Sequence, residues 1–551
     1  MRISALLLSL NLVAVSVTAA NWHVLEGGSG DGTSWSSPFG TLAAAETAAS
    51  RGDIIYVGDG SYAGATFNTA ESGTTTITVR KATEGEHGSA TGWSSAYGDG
   101  VASITSTLWI YSGYWTFDGV TGGGPDSWTS GHGFEMTYNA ALTADWYIYM
   151  RQAPGTTISH FNIGSAAQDD AGYDIAIYVA GTYRANDVTL DHCYIHHMGN
   201  QGMNLDGDGW TVEYNRMDYL GGYELGGNHG NGIEIREGND MTFRWNKVSN
   251  WEASGFMGVY GSPTNAIASG HAYYGNIYYI SDAGVEEGDI IYATGTESDI
   301  ISDSVIYNNT FYGLSVGFIV DWDHSSNSGN QFKNNIFYST TGTFSTVGMT
   351  FDYNASEDAL GSDSNLQTLS SDPFTSAATA DFSLASATTA GVTLSSPYNV
   401  DMLGNTRGAD GTWDRGALEY TGTDTTPPAF SSASIATDGT TLTVVFGEAT
   451  VVGSGGSGGM TISVDGGGSQ TATYSSGSGT TSLVYTVPTV YSGETVTVSY
   501  TNPGDGLEDA AGNDVATISA ESVTNSSTQT EAPAASGAGT IRAETITVGA
   551  Y

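Results

Sequence analysis

Between about residues 101 and 340 the chain alternates short apolar runs with polar turns, and the runs return at a near-constant interval. WTFDGV (115–120), ISHFNI (158–163), VTLDHCYI (188–195), WTVEYNRM (210–217), MTFRWNKV (241–248), VIYNNTFY (305–312) and FKNNIF (332–337) share one pattern. Aligned, they place Phe161, Cys193, Asn215, Asn246, Asn276, Asn309 and Asn335 in one column, with spacings of 32, 22, 31, 30, 33 and 26 residues. A second set of runs precedes most of them: YDIAIYV (173–179), GMNLD (202–206), GIEIR (232–236), GFMGVY (255–260), DIIYA (289–293) and GFIVD (317–321). The pattern predicts coils of at least two strands each, stacked as parallel sheets, with Met203, Leu205, Ile233, Ile235, Phe256, Phe318 and Val320 inward. The recurring Asn has a mechanical reason, since stacked amides satisfy one another and the backbone of a bend. Cys193 falls in the same inward column and reads as a packed thiol. One helix is expected, over Thr41–Ser50 (TLAAAETAAS), before the strand Ile54–Val57.

At the amino end Arg2, the apolar run from Leu6 to Val17 and the small residues Thr18-Ala19-Ala20 read as a signal peptide, so a secreted protein is expected, with cell-surface association open. Past Pro427-Pro428 the alternation is that of antiparallel strands: TTLTVVF (440–446), TSLVYTV (481–487) and ETVTVSY (494–500). The organisation read from these breaks is a signal peptide (1–20), a solenoid (21–421), a linker (422–428), a β-sandwich (429–525) and a linker with a final strand or tail (526–551). The lone alternating segment TIRAETITV (540–548) is drawn like a strand looking for a sheet edge, and suggests self-association.

Two segments carry a resemblance. EGGSGDGTSWSSPFGTLAAAETAASRGDIIYVGDGSY (26–62) resembles the amino-terminal cap and first coil of bacterial right-handed parallel β-helix proteins of the pectate-lyase-like group. The stretch from SDPFTSAATADFSLASAT (371–388) to GNTRGADGTWDRGALEY (404–420) looks like that group's ending. The strands from 429 onward, closing on GLEDAAGNDVA (506–516), resemble the immunoglobulin-like repeats of bacterial surface proteins named after a cyanobacterial swimming-motility protein. The fold implied is all-β, a right-handed parallel β-helix followed by an immunoglobulin-like β-sandwich. The group contains lyases, hydrolases, epimerases and noncatalytic surface proteins, so the resemblance implies extracellular polysaccharide as partner without fixing the reaction.

Charge narrows the partners. The chain carries 14 Lys and Arg against 58 Asp and Glu, a formal net charge of −44. Such a field repels nucleic acid, anionic lipid and polyanionic sugars unless cations bridge them. Cys193 is the only cysteine, so no intramolecular disulfide can form.

Candidate chemistry lies on the outward positions of the second set of strands. Counting alternation from Gly202 and Gly232 puts Asn204 and Asp206 outward on one coil and Glu234 and Arg236 on the next, with Asn204 against Glu234 and Asp206 against Arg236. His229, in GGNHGNG (226–232), leads into this cluster. Two carboxylates among Asp206, Asp208 and Glu234 suit hydrolysis as acid and base or nucleophile. For β-elimination Arg236, His229, Lys247 or Tyr223 serves as base, and Asn204, Asp206, Asp208 and Glu234 supply oxygens for calcium. Asp321, Trp322, Tyr260 and Tyr292 extend a groove for sugar rings, and Asp509 and Asn513 suggest a calcium loop in the second domain. The competing structural reading is a cross-strand ion pair and ordinary Gly-Asp-Gly turns. His196-His197 forms no metal pair in this reading, because neighbours on a strand point to opposite faces. The reading reached is a secreted polysaccharide lyase or glycoside hydrolase. Its rival, favoured by the acidity and by only three lysines, is a noncatalytic surface or matrix adhesin that binds carbohydrate.

Overall fold

The structure, a computed structural model, describes residues 19–530 except 126, 138–145, 166–173, 180, 182, 222–230, 253–254, 260–266, 283, 286–288, 294–299, 316–317, 323, 345–346, 361, 423–426, 454–455, 457–458, 505 and 510–511. Each coil has three strands, one more than the sequence pattern resolves. The segments read as single runs are bent in the middle: VTLDHCYI becomes Thr189–Asp191 and Tyr194–Met198, and WTVEYNRM becomes Thr211–Glu213 and Arg216–Leu220. The bend is a tight corner whose first residue is left-handed, as at His192 (φ 51°), Tyr214 (54°), Trp245 (56°), Asn308 (53°) and Asn334 (57°). Its second residue is Cys193 or the repeating Asn.

Repetition of this coil builds three parallel sheets. Sheet A holds 12 strands from Asn21–Val24 to Met349–Asp352, sheet B 12 strands from Gly60–Tyr62 to Gln367–Thr368, and sheet C 10 strands from Thr66–Phe67 to Thr343–Phe344. The chain runs from A through the Asn corner to B, then to C and back to A, which is the topology of a parallel β-helix. Inward columns from all three sheets fill the interior. Sheet A contributes Ile158, Leu190, Val212, Phe243, Tyr273, Ile306 and Phe332; sheet C contributes Ile148, Ile177, Met203, Ile233 and Met257. In sheet B Tyr278, Phe311 and Phe337 stack with centroids 5.2 and 4.7 Å apart. At the amino end a helix, Leu42–Ala48, is capped by Thr41, whose Oγ1 accepts from Ala44 N, and it presses Leu42 and Ala45 into the core.

The Asn column forms a continuous ladder. Asn246 Oδ1 accepts from Asn215 N (3.0 Å) and Asn215 Nδ2 (3.1 Å), while Asn246 Nδ2 donates to Val212 O (2.8 Å). The same pattern repeats through Asn276, Asn309 and Asn335 to Asn354, one coil beyond the column found in the sequence. At its start Cys193 N donates to Asn215 Oδ1; the thiol is buried, and burial pushes its pKa up. At its end Arg415 donates to the Asn354 carbonyl, and Asp363 accepts from Asn354. The segment that supplies Arg415 packs Phe374 and Phe382 against Tyr312 and Tyr279.

The second unit begins at Thr421 and has its own core. Phe430–Ile435, Thr441–Val452, Met460–Val464, Thr480–Thr486, Val496–Tyr500 and Ile518–Asn525 make a mixed, mainly antiparallel β structure around Ile435, Leu442, Val444, Leu483, Tyr485 and Val498. Its backbone pairing runs past Asn525, because Ser526 N donates to Ile435 O, Thr528 N to Thr437 O, and Gln529 O accepts from Ser492 N. The terminal segment 540–548 lies outside the described residues, as does the amino-terminal leader as far as residue 18.

Two outcomes follow from this packing. Asn246→Leu removes the acceptor of two Asn215 donors and the donor to Val212 O, and should lower stability by about 1–3 kcal/mol in denaturant unfolding; Asn246→Asp keeps the acceptor but turns a buried carboxylate oxygen toward Val212 O and Asn276 Oδ1, and should cost more at neutral pH than in acid, where the carboxyl is protonated. Residues 427–530 expressed alone should give a dispersed amide spectrum, whereas ending the fragment at 525 removes the bonds of Ser526, Thr528 and Gln529 and should lower its melting temperature.

Candidate functional site

The outer face of sheet C carries the polar cluster. Asn204 pairs with Glu234 across neighbouring coils, as alternation predicts. Asp206 does not pair with Arg236. A register shift between Leu205 and Asp206 sets it opposite Glu237 instead, so simple alternation fails by one residue at this point. Arg236 turns back along its own strand, and its Nε donates to Glu234 Oε1 at 2.7 Å. The other oxygen of Glu234 accepts from Gln201 Nε2 at 2.5 Å, and Gln201 Oε1 accepts from Asn204 Nδ2 at 3.0 Å. Gln201 is a member that sequence reasoning missed.

Asp206 is 3% exposed, and its nearest cation is Arg184, Nε to Oδ1 3.6 Å. Burial, with a smaller contribution from the like charge of Glu237, pushes its carboxyl up to about 6 against the pull of Arg184 and Arg236. Asn204 Oδ1 and Asp206 Oδ1 are buried and accept no hydrogen bond. Two outward-facing acceptors therefore lack donors.

Asp208 has a different role. Its Oδ1 accepts from Asn239 N (3.0 Å) and Nδ2 (3.2 Å), while its own N–H donates to Asn186 Oδ1; Asn239 Oδ1 in turn accepts from Ser269 N. This is a second polar ladder, at the corner between sheets C and A, and Arg184 also binds Asp208 at 2.7 Å. Both oxygens of Glu234 are taken as well. Calcium requires about six to eight oxygens, and on this face both oxygens of Glu234 and Oδ1 of Asp208 already accept hydrogen bonds. Among the described residues no group of three His, Cys, Asp or Glu side chains is disposed to hold a metal. The residues described do not fit calcium. In the second unit Asp509 accepts from Asn513 N and Nδ2, both at 2.9 Å, so this pair closes its own loop.

The groove extension differs from expectation. Trp322 is buried in the solenoid core and offers no face to solvent, because it lies one residue past outward-column Asp321. Tyr292 and Asp321 continue the Asn204 and Glu234 column by register through Gly258. His229, Tyr223 and Tyr260 lie outside the described residues. On the other side of the cluster the same column runs through Tyr178, Tyr149 and Trp109, none of which the sequence pattern marks as functional. Their signal is visible only once coils are aligned on sheet C.

On sheet B the two adjacent histidines meet after all. His197 has φ 52°, which breaks strand alternation and brings its Nδ1 to 2.9 Å from His196 Nδ1. His196 Nε2 contacts Asn162 Oδ1 at 2.9 Å, and burial pushes His196 down to about 3. Burial also holds His197 below the ordinary imidazole value.

Comparison with known proteins gives likeness of shape and little else. No family model matches the chain, and no curated protein matches it. Solved structures that match include the pectate lyase Pel9A, at 16% identity and TM-score 0.42 over 74% of this chain and 97% of that one. An alginate lyase from Paenibacillus sp. str. FPU-7 matches at 14% identity and TM-score 0.36 over 63% of this chain and 98% of its own. The GH136 lacto-N-biosidase from Eubacterium ramulus matches at 12% and 0.28 over 64% of this chain and 68% of its own. At these values the fold rests on the strand topology itself.

Proposed function

We propose that the outer face of sheet C cleaves glycosidic bonds in an extracellular polysaccharide by hydrolysis, with Asp206 as proton donor and Glu234 as the second carboxylate. The observation that carries this reading is the contrast between the two. Asp206 is buried with one oxygen lacking a donor and its pKa raised to about 6, so it holds a proton in mildly acidic solution. Glu234 is fixed as an acceptor by Arg236 and Gln201. Strand geometry puts their Cα atoms roughly 8 Å apart, on neighbouring coils of one sheet. Asp206 gives its proton to the leaving glycosidic oxygen, Glu234 takes one from the attacking water, and the water oxygen bonds to the anomeric carbon. β-Elimination is less well served, because Arg236 and Arg184 are committed to carboxylates and are not available to neutralise a uronate. The leader-like residues 2–20 support action outside the cell.

The test is incubation of the protein with a glycan panel, reading new reducing ends and, separately, unsaturated products. Hydrolysis predicts the first without the second, and Glu234→Gln should reduce turnover at least about 100-fold with an unchanged circular dichroism spectrum. Reducing ends that survive Glu234→Gln would move the chemistry elsewhere. Activity should also fall as pH rises through about 6, where Asp206 loses its proton. The same shift gives a stability test. A raised carboxyl pKa stabilises the protonated fold, an effect present below the unfolded value and lost as pH rises through about 6. Asp206→Asn should therefore raise stability by on the order of 1 kcal/mol at pH about 8, more than at pH about 4, while removing activity.

A further inference from the structure

The column that carries Asn204 and Glu234 is aromatic on the three coils before them. Trp109 pairs with Tyr149, Tyr149 with Tyr178, and Tyr178 with Asn204. Trp146 joins from the side, 4.9 Å from Tyr149 and 5.1 Å from Tyr178, nearly parallel to the latter at 17°. Trp109 lies 4.9 Å from Tyr149. These rings are on the solvent side of the sheet, unlike the phenylalanine stacks of the core, and Trp109, Trp146 and Tyr178 are only partly buried. Beside them Tyr111 is 37% exposed, and Arg151 lies over the rings of Tyr111, Tyr149 and Tyr183 at 5.5, 5.6 and 4.6 Å. Among the described residues few large apolar side chains are exposed, yet several aromatic rings gather on one outer strip, in register with a polar cluster.

Taking the sheet C face as the glycan groove of the reading above, we propose that this aromatic strip is a sugar-stacking subsite and that it selects a neutral, hydroxyl-rich glycan in preference to a polyuronate. The polymer runs along the solenoid axis. Three coils at about 4.8 Å each span about 10 Å, the length of about two sugar residues. Pyranose C–H faces pack on the rings of Trp109, Trp146 and Tyr178. The preference for a neutral chain comes from what the face lacks. Asn204 Oδ1 and Asp206 Oδ1 accept no hydrogen bond, Asp206 Oδ1 having only Arg184 Nε at 3.6 Å, and sugar hydroxyls bring donors to them where carboxylates bring more acceptors. Arg184 is bound to Asp206 and Asp208, and Arg236 to Glu234. Arg151, a further cation among the described residues, has its charge set against three tyrosine rings. A chain bearing one carboxylate per sugar would meet this arrangement in a molecule of net charge −44.

Affinity electrophoresis of the full chain tests this without relying on turnover. Gels containing xylan, mannan or mixed-linkage β-glucan should retard the protein in at least one case, while polygalacturonate and alginate gels with chelator should not. Trp109→Ala combined with Tyr178→Ala should weaken that retardation about fivefold or more with the melting temperature held close to wild type. Trp109→Phe, which keeps a ring, should retain most of it. Glu234→Gln should bind like wild type, so loss of hydrolysis and loss of stacking are read separately. Retardation by the polyuronates alone, no retardation by any neutral polymer, or equal retardation of the alanine double variant would overturn the proposal.

Discussion

The hydrogen bond from one asparagine to the next is the constraint on which the solenoid depends. Each Oδ1 accepts from both the backbone and the side chain of the coil before it, and each Nδ2 reaches back to a carbonyl two residues ahead of the corner. A corner this tight would otherwise bury unpaired backbone groups, at a cost of about 1–3 kcal/mol for each. The ladder also sets register, because an amide in the wrong coil position would leave two donors and an acceptor unmatched. Everything outside it inherits that register: the phenylalanine stacks within, the second ladder through Asp208 and Asn239, and the outward column of sheet C.

The candidate site uses the regularity and departs from it once. Where the pairing is regular, Trp109, Tyr149, Tyr178, Asn204 and Glu234 fall in line. Where it slips, between Leu205 and Asp206, a carboxyl is moved away from the arginine expected to neutralise it and placed opposite another acid. That displacement adds the like charge of Glu237 to the burial that already raises the Asp206 carboxyl. A strand in perfect register would have given two similar ion pairs.

The ladder was legible in the sequence because it repeats one residue type at one position, and periodicity reports that directly. The inward columns were legible for the same reason, as at Met203 and Ile233. The third strand was hidden, since a two-residue corner such as His192-Cys193 interrupts the chain without Gly or Pro to mark it. The meeting of His196 and His197 was hidden likewise, as it rests on one left-handed residue that carries no sequence signature. Asn204 and Glu234 could be paired by counting alternation, whereas the shift at Asp206 could not. Trp322 shows the limit of reading aromatics from sequence, because one residue of phase decides between groove and core. The aromatic strip escaped notice for the converse reason, as Trp109, Tyr149 and Tyr178 stand 40 and 29 residues apart and come together only through coil stacking.

The coils linked by the ladder differ greatly in length: successive partners are 22, 31, 30, 33, 26 and 19 residues apart, yet the hydrogen bonds scarcely vary. Length is absorbed in the excursions between sheets, so insertions and deletions there leave the ladder untouched. Duplication of one coil would add a single step to the outer face of sheet C with its bonding intact. The lineage of such a chain can therefore lengthen or shorten its groove in increments of one coil, and can vary the loops that rim it independently, without passing through a misfolded ancestor.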